Sequence, residues 1–132
     1  MFILKEANLD LTKLPKSMDL NINFGDYSSN MKANNVKVDK DGDLSSGEYP
    51  LPKSDAAYSF KVFGSVDKNE LTINLGFNTE EGYDDGSDWG GYSSTFSMED
   101  LQKAGTIQGN KLVINKSVEG SDFSLNKAVL YF

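Results

Sequence analysis

Apolar and polar residues alternate along much of this chain with a period of two, the signature of strands that bury one face. The clearest case runs from Leu71 to Phe77, where Leu71, Ile73, Leu75 and Phe77 alternate with Thr72, Asn74 and Gly76. Before it, Tyr58, Phe60 and Val62 alternate likewise, then pass Gly64 and Val66 into the polar link Asp67-Lys68-Asn69-Glu70. The two runs predict a hairpin. Leu20, Ile22 and Phe24 make a third run before Gly25-Asp26, and Val36 with Val38 a fourth ending at Asp41-Gly42. Turn residues stand at both ends. Lys111 to Asn115 follows Gly109-Asn110, and a closing strand runs from Phe123 to Phe132. Apolar residues occupy both parities there, so that strand is expected to be covered on both faces.

One helical turn interrupts the strands, near 97–104. Ser97 can cap the free amides of Met98-Glu99-Asp100-Leu101, acidic residues stand in the first turn, and Gly105 stops it. Apolar runs recur about every 8 to 15 residues between Gly, Asn, Asp and Ser clusters, as in an antiparallel sandwich or barrel. Pro15, Pro50 and Pro52 suit loops or edges. The chain therefore reads as one all-β domain over residues 1–132, an antiparallel β-sandwich of jelly-roll type, and no internal repeat divides it.

With 132 residues, one core suffices. Eight Phe, six Tyr and one Trp supply it and argue against disorder. Cysteine and histidine are both absent. That removes disulfides and thiolate metal sites, the usual general base at neutral pH, and the usual partner of a Ser or Cys nucleophile. No enzymatic activity is expected. The formal net charge is -7 and all 13 basic residues are Lys. Without Arg or a basic balance, nucleic acid is an unsuitable ligand. No apolar run approaches the ~20 residues that cross a bilayer, so no membrane partner is expected. The chain reads as a cytoplasmic protein or as an excised module of a secreted one.

The stretch from Asn78 to Tyr92 is too long and Gly-rich for a minimal hairpin turn, and it holds the only Trp beside two Tyr. Sugar rings pack their flat C–H faces on aromatic rings, while Asp, Asn and Gln satisfy the surrounding hydroxyls. Trp89, Tyr83 and Tyr92, with Asp88, Asn78 and Gln102 close in sequence, supply that mixture. The opposing reading makes Trp89 a plug for the core and the tyrosines a cover for a sheet edge. Tyr27 and Tyr49, beside turn residues, line the same surface if the early loops fold toward it.

Two acidic stretches offer weaker chemistry. Asp39-Lys40-Asp41-Gly42-Asp43 opens like a calcium loop, but Leu44 and Pro50 stand where an EF-hand wants Gly and Glu, so a turn is expected. Glu80, Glu81, Asp84, Asp85 and Asp88 read as a solvated loop ahead of calcium binding or glycosidase carboxylates. No cofactor is predicted.

The order Tyr58-Ser-Phe-Lys-Val62, Leu71 to Phe77, a Trp-containing loop at Trp89, Met98-Glu-Asp-Leu101, Lys111-Leu-Val-Ile114 and Leu125 to Tyr131 resembles the non-catalytic carbohydrate-binding modules of plant-polysaccharide-degrading anaerobic bacteria. The resemblance covers a little over half the chain. It implies a jelly roll that binds a β-glucan or xyloglucan by aromatic stacking, as a monomeric part of a larger extracellular enzyme, with Trp89 and Tyr92 carried over as binding aromatics. The rival is a small acidic protein-binding or inhibitor domain, for example phage-encoded and cytoplasmic, that docks on a basic partner through β-edges and negative charge.

Overall fold

The computed structural model describes residues 13–25, 27–52, 54–79, 82–84 and 92–132, with the backbone path alone for 82–84. The strands are β1 (Ser17–Phe24), β2 (Ser28–Val38), β3 (Asp43–Ser45), β4 (Tyr49–Pro50), β5 (Ser59–Asp67), β6 (Glu70–Thr79), β7 (Gly82–Asp84) and β8 (Ser93–Ser97). After them come the helix α1 (Met98–Lys103) and the strands β9 (Gly105–Gln108), β10 (Lys111–Ile114) and β11 (Ser124–Tyr131).

Every ladder is antiparallel, and the order β7-β6-β5-β3-β2-β1-β11-β10-β9 connects them, with β4 added beside β5 and β8 beside β6. The all-β class therefore holds. The two-layer jelly-roll sandwich expected from the sequence is not confirmed, because the strands form one connected sheet curled around its core. The period of two decides which face turns inward. Met18, Leu20, Ile22 and Phe24 of β1 meet Phe60, Val62 and Val66 of β5, and Leu71, Ile73, Leu75 and Phe77 of β6, all buried. Each such side chain contributes roughly 1.5–3 kcal/mol when taken out of water.

The hairpin predicted between the runs at Tyr58 and Leu71 is β5–β6, in unbroken register from Ser59↔Asn78 to Asp67↔Glu70. Gly64 has φ +142, and a Cβ there would collide with the Thr72 carbonyl of the neighbouring strand, so only glycine fits. The expected turn at Asp39–Asp43 is likewise present. The Asp39 carboxylate accepts from the amides of Asp41 (2.8 Å) and Asp43 (3.0 Å) and joins β2 to β3.

The curl closes at β8. Ser94 has no exposed surface, and its hydroxyl donates to the Phe123 carbonyl at 2.9 Å while accepting from the amides of Asp122 (3.1 Å) and Phe123 (3.0 Å). One donor and two acceptor sites exhaust a hydroxyl's capacity. On either side, the Ser93 amide donates to the Asp122 carboxylate at 2.7 Å and the Ser121 hydroxyl donates to the Ser93 carbonyl at 2.8 Å. Gly120 passes so near that a Cβ would lie 2.7 Å from that of Ser94. These bonds tie the β6–β8 end of the sheet to the segment that leads into β11.

Helix α1 carries the chain from β8 to β9. Ser97 caps it by accepting from the Asp100 amide at 3.0 Å, and Met98 and Leu101 are its buried residues. Its exposed Lys103–Glu99 pair at 3.1 Å contributes little. Among the described residues no helix is long and apolar enough to cross a membrane.

Strand β11 departs from the expectation that both its faces are covered. It lies between β1 and β10, and Ala128 and Leu130 are buried, while Val129 and Tyr131 are half-exposed on the outside. Their apolar parity signals a floor at the surface.

Replacing Ser94 with Ala strands the Asp122 and Phe123 amides at the seam, and a loss of about 1–3 kcal/mol in urea-induced unfolding is expected. The exposed Ser65→Ala on β5 should stay within about 0.5 kcal/mol of the parent.

Candidate functional site

Strand β3 is short, and it touches β2 only at Lys37 and Val38. Below that contact β2 parts from β5, and a groove of about 570 Å³ opens between β2 and the stretch that follows β4. Ser28, Ser29, Asn30 and Lys32 line one side, Pro50, Leu51, Pro52 and Ser54 the other, and Tyr27 closes an end. The Tyr49 hydroxyl donates to the Asn34 carbonyl at 2.7 Å and holds β4 against β2 across the gap.

Tyr27 owes its position to the β1–β2 turn, where its amide donates to the Phe24 carbonyl at 2.9 Å. Its ring stacks on Phe77 with centroids 3.6 Å apart and planes 6° from parallel. Phe24 meets Tyr27, Phe77 and Tyr92 edge-on at 5.3, 5.7 and 5.4 Å and stacks on Phe123 at 5.7 Å. Such pairs contribute about 0.5–1.5 kcal/mol beyond their burial. The cluster makes the groove's aromatic end rigid.

A second, shallower depression of about 180 Å³ crosses the outer face of β2, β1 and β11. Its polar lining is Asp19, Asn21, Lys32, Asn34 and Lys127, and Val129 lies among them. Lys32 lines both depressions, so the two adjoin. The Asp19 carboxylate accepts from the Tyr131 hydroxyl at 2.7 Å and from the Asn35 amide at 2.8 Å. Asn35 itself has φ 62, a left-handed conformation that Asn tolerates better than most residues. The Asn126 amide nitrogen donates to the Asn21 side chain and to the Ser29 carbonyl, both at 2.9 Å, and the Asn21 nitrogen donates to Asn30 at 2.7 Å. An amide network thus spans three strands.

The residues singled out in the sequence fall into three groups. Tyr92 and Asn78 lie toward the same end of β6: the Tyr92 carbonyl accepts from the Leu75 amide, and Asn78 pairs with Ser59 on one side and Tyr83 on the other. Tyr92 is a half-buried wall of the aromatic cluster, with its hydroxyl 3.3 Å from that of Tyr27. Tyr27 therefore lies beside Tyr92. Gln102 is exposed on α1, beyond the far end of β8 and about 16 Å of strand from Tyr92. It does not join the others, because proximity in sequence becomes separation along a strand. Trp89, Asp88 and the side chain of Tyr83 lie outside the described residues, as do Glu80, Glu81 and Asp85.

Sequence reasoning missed Ser28, Ser29, Asn30, Pro50 and Pro52. A signal was present: polar Asn30, Lys32 and Asn34 alternate with buried Met31 and Ala33 on β2, and Pro50-Leu-Pro52 follows Tyr49 directly. No family model, curated protein or solved structure matches the chain.

Two tyrosines report on this region. Tyr131 has its pKa raised, first because its hydroxyl donates to Asp19, and Tyr49 has its raised mainly by burial. A raised folded-state pKa means that the stabilisation is complete below the ordinary value near 10 and is lost as pH rises through the folded value. In a spectrophotometric titration both should ionise above free tyrosine, and Asp19→Asn should lower Tyr131 more than Tyr49, for which the Asp19 charge is a smaller cause than burial.

Proposed function

We propose that this domain binds a plant cell-wall polysaccharide in the groove between β2 and the Pro50–Ser54 stretch, performs no chemistry on it, and serves as an extracellular module that targets a larger enzyme to its substrate. One observation carries the reading. The groove brings Tyr27, Pro50 and Pro52 together with Ser28, Ser29, Asn30 and Lys32 in one lining. Ring faces suit the C–H faces of sugars, and the polar wall suits their hydroxyls. The volume is that of a ligand site, roughly 300–1,000 Å³. Continuity through Lys32 into the second depression suits a chain longer than one sugar.

A specific observation also favours binding of a peptide. Residues 28–34 of β2 are flanked by a pairing partner on the β1 side alone, and among the described residues no strand forms a ladder with their groove side. An extended peptide could pair with that edge, as in β-strand addition.

Native affinity electrophoresis against a panel of soluble polysaccharides separates the two. Retardation by a glycan is expected, with Tyr27→Ala weakening it about tenfold or more and Asn30→Ala a few-fold. Tyr27 also packs on Phe77 and Asn30 accepts from Asn21, so the urea-unfolding midpoint of each variant is measured beside its retardation, to separate lost folding from lost binding. Migration unchanged by every glycan, with capture of an extended peptide blocked by proline substitution at Asn30, would replace this reading with the peptide one.

A further inference from the structure

Charge is unevenly spread over this sheet. Strands β1, β2, β10 and β11 carry Lys32, Lys37, Lys111 and Lys127 and a single acid, Asp19, in a chain whose acidic residues outnumber its lysines 20 to 13. All five lie at exposed or half-exposed positions, on the face opposite the buried Met18, Leu20, Ala128 and Leu130. Register arranges them. Asn21 pairs with Lys32 on one side and Lys127 on the other, so two lysines flank an amide, about 10 Å apart at the backbone. Ser17 pairs with Lys37 and with Tyr131, which in turn pairs with Lys111, so a second cationic row runs parallel, about 13 Å away along β1.

None of Lys32, Lys37 and Lys127 forms an ion pair among the described residues, whereas the exposed Lys103 does. Lys111 lies 6.0 Å from the Tyr131 ring. The one acid on the face already accepts from the Tyr131 hydroxyl and the Asn35 amide, so much of its acceptor capacity is used. What remains is a row of ammonium and amide donors that leads directly out of the groove, since Lys32 belongs to both depressions.

We infer that the ligand is an anionic, carboxylate-bearing glycan, which passes from the groove over Lys32 and lays its carboxylates between Lys32 and Lys127. The inference rests on the polysaccharide reading and names the class within it. Asn21 and Asn34 donate to sugar hydroxyls while the lysines meet the acid groups, a pairing that a neutral glucan leaves unused. Because the whole chain is acidic, the long-range field opposes a polyanion and the attraction acts at short range.

Fluorescence polarisation with a labelled galacturonate oligomer, and separately with a labelled xyloglucan oligomer, tests it on the whole chain. The uronate oligomer is expected to bind more tightly, to weaken as salt rises from 10 to 200 mM, and to lose about two- to fivefold in affinity for each of Lys32→Gln and Lys127→Gln. Asp19→Asn, which keeps an acceptor for Tyr131, should tighten it. Xyloglucan binding that equals or exceeds uronate binding and ignores both lysine variants would overturn the anionic assignment and leave the polysaccharide reading standing. Binding of neither oligomer would overturn the anionic assignment, and the polysaccharide reading falls with it only if no glycan of the panel retards the protein. Competition by polyglutamate as effective as by unlabelled polygalacturonate would also overturn the assignment, in favour of an acidic peptide.

Discussion

Where a curled sheet packs against its own chain without a continuing ladder, buried backbone groups still need partners, and here the buried Ser94 hydroxyl supplies them between β8 and the segment that leads into β11. Ser94 satisfies two amides and one carbonyl of the 122–123 segment, where a continuing ladder would otherwise be needed. Its neighbours Ser93 and Ser121 add a bond each. The seam fixes where β8 lies relative to β11, and thereby where Tyr92 enters the aromatic cluster. Once those ends are fixed, the short β3 forces β2 and β5 to diverge, and the groove is the space that the divergence leaves.

The aromatic cluster gives that space an ordered rim. Phe24, Phe77 and Phe123 are buried, and Tyr27 and Tyr92 rest on them, half-exposed at the rim. The phenylalanines anchor the tyrosines from beneath, so the rim is held by packing as well as by loop hydrogen bonds. A preordered aromatic edge loses little freedom when a ligand settles on it. Rigidity of the rim and stability of the core are therefore one property of the same five rings.

Much of the fold was legible because its strong elements obey simple periods. Strand β1, the β5–β6 hairpin and the Ser97-capped helix follow from alternation, turn residues and capping. Strand β8 was not, because its sequence Ser-Ser-Thr-Phe-Ser places a serine at an inward position and offers one apolar residue, Phe96. The seam that justifies the inward Ser94 is a tertiary fact. The curled single sheet was hidden for the same reason: a period of two identifies an inward face without saying whether one sheet or two supply it. At the site, Tyr92 and the linked Tyr27 could be anticipated as loop aromatics. The polar wall of Ser28, Ser29 and Asn30 left only the faint trace of Asn30, Lys32 and Asn34 alternating with buried Met31 and Ala33, since exposed polar residues look like ordinary solvated surface until a second element approaches them. Gln102 misled because a five-residue strand separates it from Tyr92.

The space between β2 and Pro50, Leu51, Pro52 and Ser54 is the proposed meeting place of this chain and its ligand. Two-dimensional amide NMR during titration with a soluble glycan fragment tests that proposal residue by residue. The amides of Tyr27 through Lys32 and of Leu51 and Ser54 should shift first and furthest, with those of Asn21 and Lys127 following along the adjoining face. Shifts confined to the outer face of β5 and β6, around Phe63 and Asn74, with the groove amides unmoved, would contradict it.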